Sequence, residues 1–314
     1  MKRVKPRWQI WLEYCAFWPL YHLVHMIPFK ACLRISAVLF RLLYFFGGET
    51  KRRTLSHLKH AGVAKTDAEA DAIARKCYRE FSKLLVEIIN MDRKYSPGKI
   101  RVTGDPESLR RVISPDGKTP AETNVIIVTA HYGNWEVAGT AFADKSRRNM
   151  LSIMRPFSNP LIGKMIIAQR RSKGHDLVDR TAPGAVRALL RALHEGRHAT
   201  LLIDQHAAHL EGCDTVFFGQ PCKTHKTPAM LHLKTGVPIM PEVTRRIGDD
   251  FDFELDIGPL IEYKSTGDKE HDIRTICQMC TTELEKLIAK QPEQWLWAHR
   301  RWTNINRDHH HRRK

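Results

Sequence analysis

The pattern of apolar and polar positions divides the chain into an apolar amino-terminal segment, a polar helical stretch and a longer region of alternating elements. Short β-branched runs that predict strands cover residues 124–129, 150–154, 199–204, 237–244 and 251–257. Helix-like periodicity that separates the earlier strands covers residues 134–145, 158–173 and 183–196. Because strands and helices alternate, the sequence predicts an α/β fold with a mixed central sheet flanked by helices.

The remaining segments complete the division of the chain. Residues 50–92 have helical spacing, whereas residues 96–123 are rich in Pro, Gly and Asp and are predicted to form a loop. We therefore distinguish an amino-terminal helical segment, residues 1–48, an α/β domain, residues 49–305, and a basic tail, residues 306–314. The tail is expected to be disordered, and its three histidines are more typical of solvated sequence than of a metal site.

The amino-terminal segment has the composition of a membrane-associating helix pair. Four basic residues precede an apolar run over residues 14–29, which is broken at Pro19 and Pro28. A second apolar run carries Arg34 and Arg41, seven residues apart and hence on one helical face. Aromatic and basic residues mixed in this way favour a helix that lies in the headgroup region. A pair of buried helices and a true membrane span are the alternatives, and a signal peptide fits poorly.

The charge balance indicates an anionic partner. The chain has 51 Lys and Arg against 34 Asp and Glu, for a formal net charge of +17. An acidic membrane, a phosphorylated lipid, an acidic carrier protein or nucleic acid would each be attracted. No recognised nucleic-acid-binding module is visible, so a nucleic-acid partner is not predicted. Cys277 and Cys280 have the spacing of a zinc or redox pair, but without a second pair we interpret them as helix thiols.

The residues that follow the run 124–129 form the candidate catalytic motif. His131 lies directly after the predicted strand, where ligands bind in open α/β sheets. Gly133 permits a tight turn, and Asn134 can cap a helix that begins there. Glu136 would then project back toward His131 and orient its imidazole, which leaves the other ring nitrogen free to accept a proton from an attacking hydroxyl.

The motif resembles that of a known family. His131-Tyr-Gly-Asn-Trp-Glu136 is similar to the His-x4-acid signature of the glycerolipid acyltransferase superfamily, in the branch of the lauroyl and myristoyl acyltransferases of lipid A biosynthesis. Further matches in chain order are Met154-Arg-Pro156, Asp204-Gln205, Phe217-Phe-Gly219 and the closing string over residues 292–302. The resemblance covers roughly residues 10 to 305, and the ordered combination is specific although each piece alone is weak.

The resemblance implies an O-acyltransferase reaction without an acyl-enzyme. An acyl carrier protein or acyl-CoA would supply the thioester, and a hydroxyl of a lipid A precursor would accept the acyl group. His131 would be the general base and Glu136 its partner. The expected substrate-binding residues are Asn134, Arg155, Asp204 and Gln205. No cofactor and no metal site are expected, and the implied location is the cytoplasmic face of a bacterial inner membrane.

The sequence leaves alternatives for the lipid acceptor, which could also be a glycerophospholipid or another envelope glycolipid. His299 and the two arginines after it are expected to pack or to contact anionic headgroups rather than to catalyse. The family often carries Gly in the stretch that reads Thr224-His-Lys-Thr-Pro-Ala229 here. This chain has no Gly in that stretch, so the conformation of the loop is not predicted from the resemblance.

Overall fold

A seven-stranded sheet organises the protein, for which a computed structural model describes residues 5–208 and 210–302. The strands of this sheet, in spatial order, are β1 Ile100–Gly104, β9 Phe253–Ile257, β8 Ile239–Arg246, β2 Ile126–Thr129, β5 His198–Leu202, β3 Met150–Met154 and β4 His175–Asp179. Neighbours pair in parallel except β8 and β9, so the predicted mixed sheet is confirmed. The two remaining strands, β6 Gly212–Phe217 and β7 Gln220–His225, form a separate antiparallel hairpin.

Eleven helices cover the two faces and the amino-terminal side of the sheet within the described residues. They are α1 Arg7–Met26, α2 Phe29–Phe46, α3 Glu49–His60, α4 Asp67–Ile89, α5 Met91–Lys94, α6 Pro106–Val112, α7 Trp135–Ser146, α8 Pro160–Arg171, α9 Ala185–His194, α10 Thr227–Thr235 and α11 Lys269–Ala289. The buried apolar residues form two clusters that share the strands, with Ile126 and Val128 in one and Val125 and Ile127 in the other. The central strand β2 is therefore buried on both faces, as its sequence predicts.

The segment over residues 96–123 is more ordered than the predicted loop. It contains a short 3-10 turn, the strand β1 and the helix α6. Strand β1 is an edge strand paired with β9 alone, and only Ile100 of its five residues is buried. An exposed edge strand needs little apolar patterning, which explains why composition alone predicted a loop here. The prediction for residues 96–123 is thus corrected.

The first two helices differ from the rest in what they bury. Helix α1 has no buried residue, while α2 packs on α4 through Phe29, Cys32, Leu33 and Tyr44. Many large apolar side chains of these helices are exposed, among them Trp8, Trp11, Leu12, Trp18, Leu23, Val38, Leu39, Leu42, Phe45 and Phe46. Within the described residues no single helix has the length and apolarity of a membrane span, although α2 and α3 pass that test together across an 83° bend.

Candidate active site

The turn after β2 is built so that His131 stands at the carboxyl end of the central strand. Gly133 has a φ of 51°, and a Cβ on it would lie 1.8 Å from the carbonyl oxygen of Thr244. Only glycine fits this close approach of two backbones. Asn134 then caps α7, because its Oδ1 accepts hydrogen bonds from the backbone N–H groups of Glu136 and Val137 at 3.1 Å each. The local expectations for Gly133 and for capping by Asn134 are confirmed.

A buried carboxylate holds the imidazole of His131. Asp204 follows β5, the parallel neighbour of β2, and its Oδ1 lies 2.9 Å from His131 Nδ1. Its Oδ2 accepts hydrogen bonds from the His131 backbone N–H and from Trp295 Nε1, both at 2.9 Å. Because all the known partners of Asp204 are donors, an N–H on His131 Nδ1 completes the set, and Nε2 is left as the basic nitrogen.

The environment keeps Asp204 ionised. Complete burial by itself would raise the pKa of this carboxyl group, but attraction to His131 and the hydrogen bonds from His131 and Trp295 outweigh that cost. The pKa of Asp204 therefore lies well below its ordinary value. A buried carboxylate that stays charged beside an imidazole stabilises the imidazolium form, and a general base needs that stabilisation after it accepts a proton.

Glu136 does not form the expected hydrogen bond to His131. Its carboxylate pairs with Arg170 of α8, and the side chains of both residues are largely buried. Helix α7 begins at Trp135, whose ring meets the imidazole of His131 edge to face with centroids 4.9 Å apart, whereas the next residue, Glu136, is directed to α8. The position that we expected Glu136 to occupy is filled by Asp204, which comes from a different strand 73 residues away.

Asn134 also differs from expectation, because its side chain is engaged inside the protein. The residue is fully buried, and its Nδ2 donates to Glu87 Oε2 at 2.9 Å. Glu87 in turn accepts two hydrogen bonds from the buried guanidinium of Arg246, at 2.6 and 2.7 Å. With both ends of its amide occupied, Asn134 joins α7 to α4 and β8, and the predicted contact with substrate is replaced by this structural role.

A cavity of about 640 Å³ opens beside His131 and extends along both sides of the sheet edge. Gln205 lines it next to His131, and the exposed Arg155 lies on its rim with Arg180. Apolar lining residues include Ile203, Val186 and Met230. The structure thus brings four of the predicted site residues to one cavity: His131, Glu136, Arg155 and Gln205. Asp204 does not line the cavity but hydrogen-bonds to His131, and Asn134 lies outside the lining.

The inner end of this cavity is polar and uncharged. It is lined by Thr200 and by Glu242 of β8, each of which has a buried side-chain oxygen without a hydrogen-bond partner. Burial raises the pKa of Glu242 to about 8, so its carboxyl group is protonated at neutral pH. His175 lies there too, and burial lowers its pKa to about 3, which makes it neutral. Neutral groups of this kind escaped our sequence interpretation because they carry no local motif.

The closing segment, residues 292–302, supplies two residues that contact the site. The indole of Trp295 is fully buried and donates to Asp204, so it helps to hold the carboxylate that orients His131. His299 lies with its ring centroid 4.2 Å from that of His131. Trp295 and His299 both lie in the closing string, residues 292–302, that resembles the acyltransferase family. That resemblance was the only indication in the sequence that these residues matter. It did not indicate a contact with the motif at 131.

The cysteine pair shows no sign of a metal site. Cys277 and Cys280 are free, buried thiols on α11, in agreement with the interpretation of helix thiols. Across the described residues, no three His, Cys, Asp or Glu side chains are grouped as metal ligands. The histidines of the tail lie outside the described residues, as do the charges at residues 1–4.

The fold and this site define a class of protein: an α/β protein whose candidate active site is an imidazole held by a buried carboxylate, beside a cavity at the carboxyl edge of the sheet. The model of the bacterial lipid A biosynthesis acyltransferase family matches residues 2–304, and the chain belongs to that family. Membership makes the chain an acyltransferase, with an acyl donor and a lipid acceptor as its substrates. No curated protein matches the chain.

Proposed function

We propose that this chain transfers a fatty acyl group from a thioester, carried by an acyl carrier protein or by coenzyme A, to a hydroxyl of a lipid A precursor. The observation that carries the proposal is the His131–Asp204 pair beside the cavity of about 640 Å³. Family membership supplies the substrate class, and the pair supplies a base at the correct end of the sheet.

In the proposed mechanism His131 is the general base. Its Nε2 accepts the proton of the acceptor hydroxyl while the hydroxyl oxygen attacks the thioester carbonyl carbon. The tetrahedral oxyanion then collapses, the carbon–sulfur bond breaks, and the departing thiolate takes the proton from Nε2. An ester and a free thiol result, and no acyl-enzyme is formed. Asp204 acts through His131 as a positioning residue, because it fixes the ring and stabilises the imidazolium.

Glu136 and Arg155 contribute to the cavity in this proposal. Glu136 neutralises Arg170 and so sets the charge of the wall between α7 and α8. Arg155 follows β3 on the exposed rim, where its guanidinium suits a phosphate of the acceptor or of the donor. No cofactor takes part, because the energy of the reaction comes from the thioester that is consumed.

We place the reaction at the cytoplasmic face of a bacterial inner membrane, and two features support a membrane surface as its place. The exposed apolar side chains of α1 and α2 form an amphipathic surface with interspersed cations such as Arg34 and Arg41. The net charge of +17 would attract anionic lipids and an acidic acyl carrier protein alike. An acceptor other than lipid A, such as a glycerophospholipid or another envelope glycolipid, would use the same cavity and base.

The test is mass spectrometry of lipid A from a host that lacks this gene. Complementation with wild type should add one acyl mass, and complementation with His131→Ala should not. His194→Ala, which removes an exposed histidine on α9, is the matched control and should behave as wild type. No change in lipid A with wild type would contradict the proposed acceptor, and acyl addition by His131→Ala at the wild-type rate would contradict the proposed base.

A further inference from the structure

A second imidazole lies against the proposed base. The rings of His131 and His299 meet edge to face, with centroids 4.2 Å apart and an interplanar angle of 68°. The amide nitrogen of Gln205 lies between them, 3.4 Å from His131 Nε2 and 3.3 Å from His299 Nε2. Because an amide nitrogen only donates, the Nε2 of each imidazole is a hydrogen-bond acceptor in this arrangement.

The backbone fixes the position of His299 from both sides. Its N–H donates to the carbonyl of Leu296, whose own N–H donates to the carbonyl of His131 at 3.0 Å. On the other side the buried guanidinium of Arg301 donates to the carbonyls of Ile203 and Gln205 at 3.2 Å. The closing segment is thus tied to the two loops that carry His131 and Asp204, and His299 is held in a defined place relative to the base.

His299 is uncharged at neutral pH. Burial lowers its pKa to about 4, and the nearby His131 further disfavours a second positive charge, although Asp204 acts in the opposite direction. A neutral imidazole does not compete with the imidazolium that forms on His131. With its proton on Nδ1, its Nε2 lone pair accepts from the Gln205 amide and fixes the orientation of that amide.

The usual backbone donors around His131 are already occupied. The N–H of His131 donates to Asp204, that of Tyr132 to the carbonyl of Ala130, and that of Gly133 to the carbonyl of Gln294. The N–H groups of Glu136 and Val137 at the start of α7 donate to the Asn134 cap. Helix N-termini often stabilise oxyanions, but two of the donors at this one are occupied by the cap, which favours side-chain donors for the oxyanion.

We propose that Gln205 is a further catalytic residue and His299 its positioning residue: one amide N–H of Gln205 donates to the Nε2 of His299, and the other hydrogen-bonds to the thioester carbonyl oxygen as it becomes the oxyanion. This inference rests on the proposed function. The second N–H lies against His131 Nε2 in the free protein, so an oxyanion that accepts from it lies beside the hydroxyl whose proton His131 Nε2 removes. The family resemblance assigned His299 no such role, and the contact with Gln205 is what carries it.

The experiment compares His299→Leu with His299→Gln in purified protein, with an acyl thioester donor and a lipid acceptor. Loss of one oxyanion donor lowers kcat by about 10²- to 10³-fold in other enzymes, and we expect a loss of that order from His299→Leu, which leaves the Gln205 amide without the acceptor that orients it, with KM nearly unchanged. His299→Gln places an acceptor oxygen near the position of Nε2 and should recover at least roughly tenfold of that loss. His60→Leu, which removes a half-buried imidazole packed on Trp302, is the control and should retain kcat.

Gln205→Met gives a second measurement that does not depend on the stability of the His299 variants. It keeps the length of the side chain, removes both N–H groups, and should lower kcat with little change in KM. An active wild type with equally active His299→Leu, or equal losses in His299→Leu and His299→Gln, would overturn the inference alone. A wild type that transfers no acyl group to any hydroxyl acceptor would overturn the proposed function and this inference with it.

Discussion

The candidate active site and helices α1 and α2 depart in opposite ways from the usual distribution of side chains, in which apolar groups are buried and charged groups are exposed. At the site, charged and polar groups such as Asp204 and Arg301 are almost completely buried. In α1 and α2, tryptophans, leucines and phenylalanines face outward, and α1 buries none of its residues. Each arrangement would be unfavourable by itself, because buried charge loses hydration and exposed apolar surface orders water.

The two regions differ in the contacts that offset this unfavourable free energy. At the site the protein itself supplies the partners, since Asp204 accepts three hydrogen bonds and Arg301 donates to three carbonyls and a hydroxyl. On α2 the described residues supply partners for one face only, and the other face is exposed. Under the proposed function, chemistry depends on contacts within the protein, whereas attachment depends on contacts with a membrane. Three variants test the roles of buried polar groups and exposed apolar groups.

The largest effect is expected from Asp204→Asn, which breaks the internal contacts. The amide keeps the shape of the carboxylate but cannot stabilise an imidazolium, and it favours the wrong tautomer of His131. We expect kcat to fall by about 10³- to 10⁴-fold, as in other imidazole–carboxylate pairs. Steady-state rates with a thioester donor provide the measurement, and Asp67→Asn, an exposed carboxylate on α4, is the control. A loss below tenfold would show that Asp204 does not support the base.

A smaller effect, confined to attachment, is expected from the double substitution Leu42→Glu and Phe45→Glu on the exposed face of α2. Each apolar side chain contributes about 1.5 to 3 kcal/mol when transferred from water, so binding to vesicles should weaken by roughly 100-fold or more. Cosedimentation with vesicles that contain phosphatidylglycerol measures this. Val216→Glu with Met279→Glu removes exposed apolar groups from β6 and α11 instead, and equal loss there would contradict a specific role for α2.

The smallest effect is expected from Glu242→Gln at the polar end of the cavity. Burial raises the native pKa of Glu242 from 4.5 to about 8, so between these values the native state keeps a proton that the unfolded chain releases. The free energy of unfolding of the wild type therefore falls as pH rises through that window, and the variant lacks this loss. We expect the variant to gain about 2 kcal/mol on the wild type for a rise of about 1.5 pH units within this window, measured by urea unfolding. A difference that does not change with pH would contradict a buried neutral acid.

The sequence predicted the parts of the fold that depend on local pattern. Strand β2 and helix α7 were anticipated because a β-branched run, a glycine and a capping asparagine occur together. The partner of His131 could not be found in this way, because Asp204 reaches it through the parallel pairing of β2 with β5. A local interpretation preferred Glu136, five residues away, whose side chain instead meets Arg170 on another helix. Local sequence patterns do not predict contacts that depend on the order of the strands in the sheet.

The amino-terminal helical segment, α1 and α2, illustrates the opposite limit. Composition predicted two amphipathic helices, and helices α1 and α2 occur close to the expected positions. Their depth in a bilayer depends on lipids that are not part of the chain, so neither pattern nor fold determines it. His299 was underestimated for a related reason, since an isolated histidine in a Trp-rich string is ordinarily a packing residue. Only its distance from His131 changes that interpretation.

The Asn159 side chain mechanically links the two regions. It caps α8 through the N–H groups of Leu161 and Ile162, and its Nδ2 also donates to the Ile10 carbonyl at 2.8 Å and to Glu13 at 3.1 Å. Helix α8 carries Arg170, which faces Glu136 in the cavity. A shortened protein that lacks α1 would leave this buried amide without two acceptors, so trimming the first helix to ease purification would loosen a wall of the active site. Protein engineering on this scaffold should therefore treat α1 as a structural element of the active-site wall, in addition to its proposed role at the membrane.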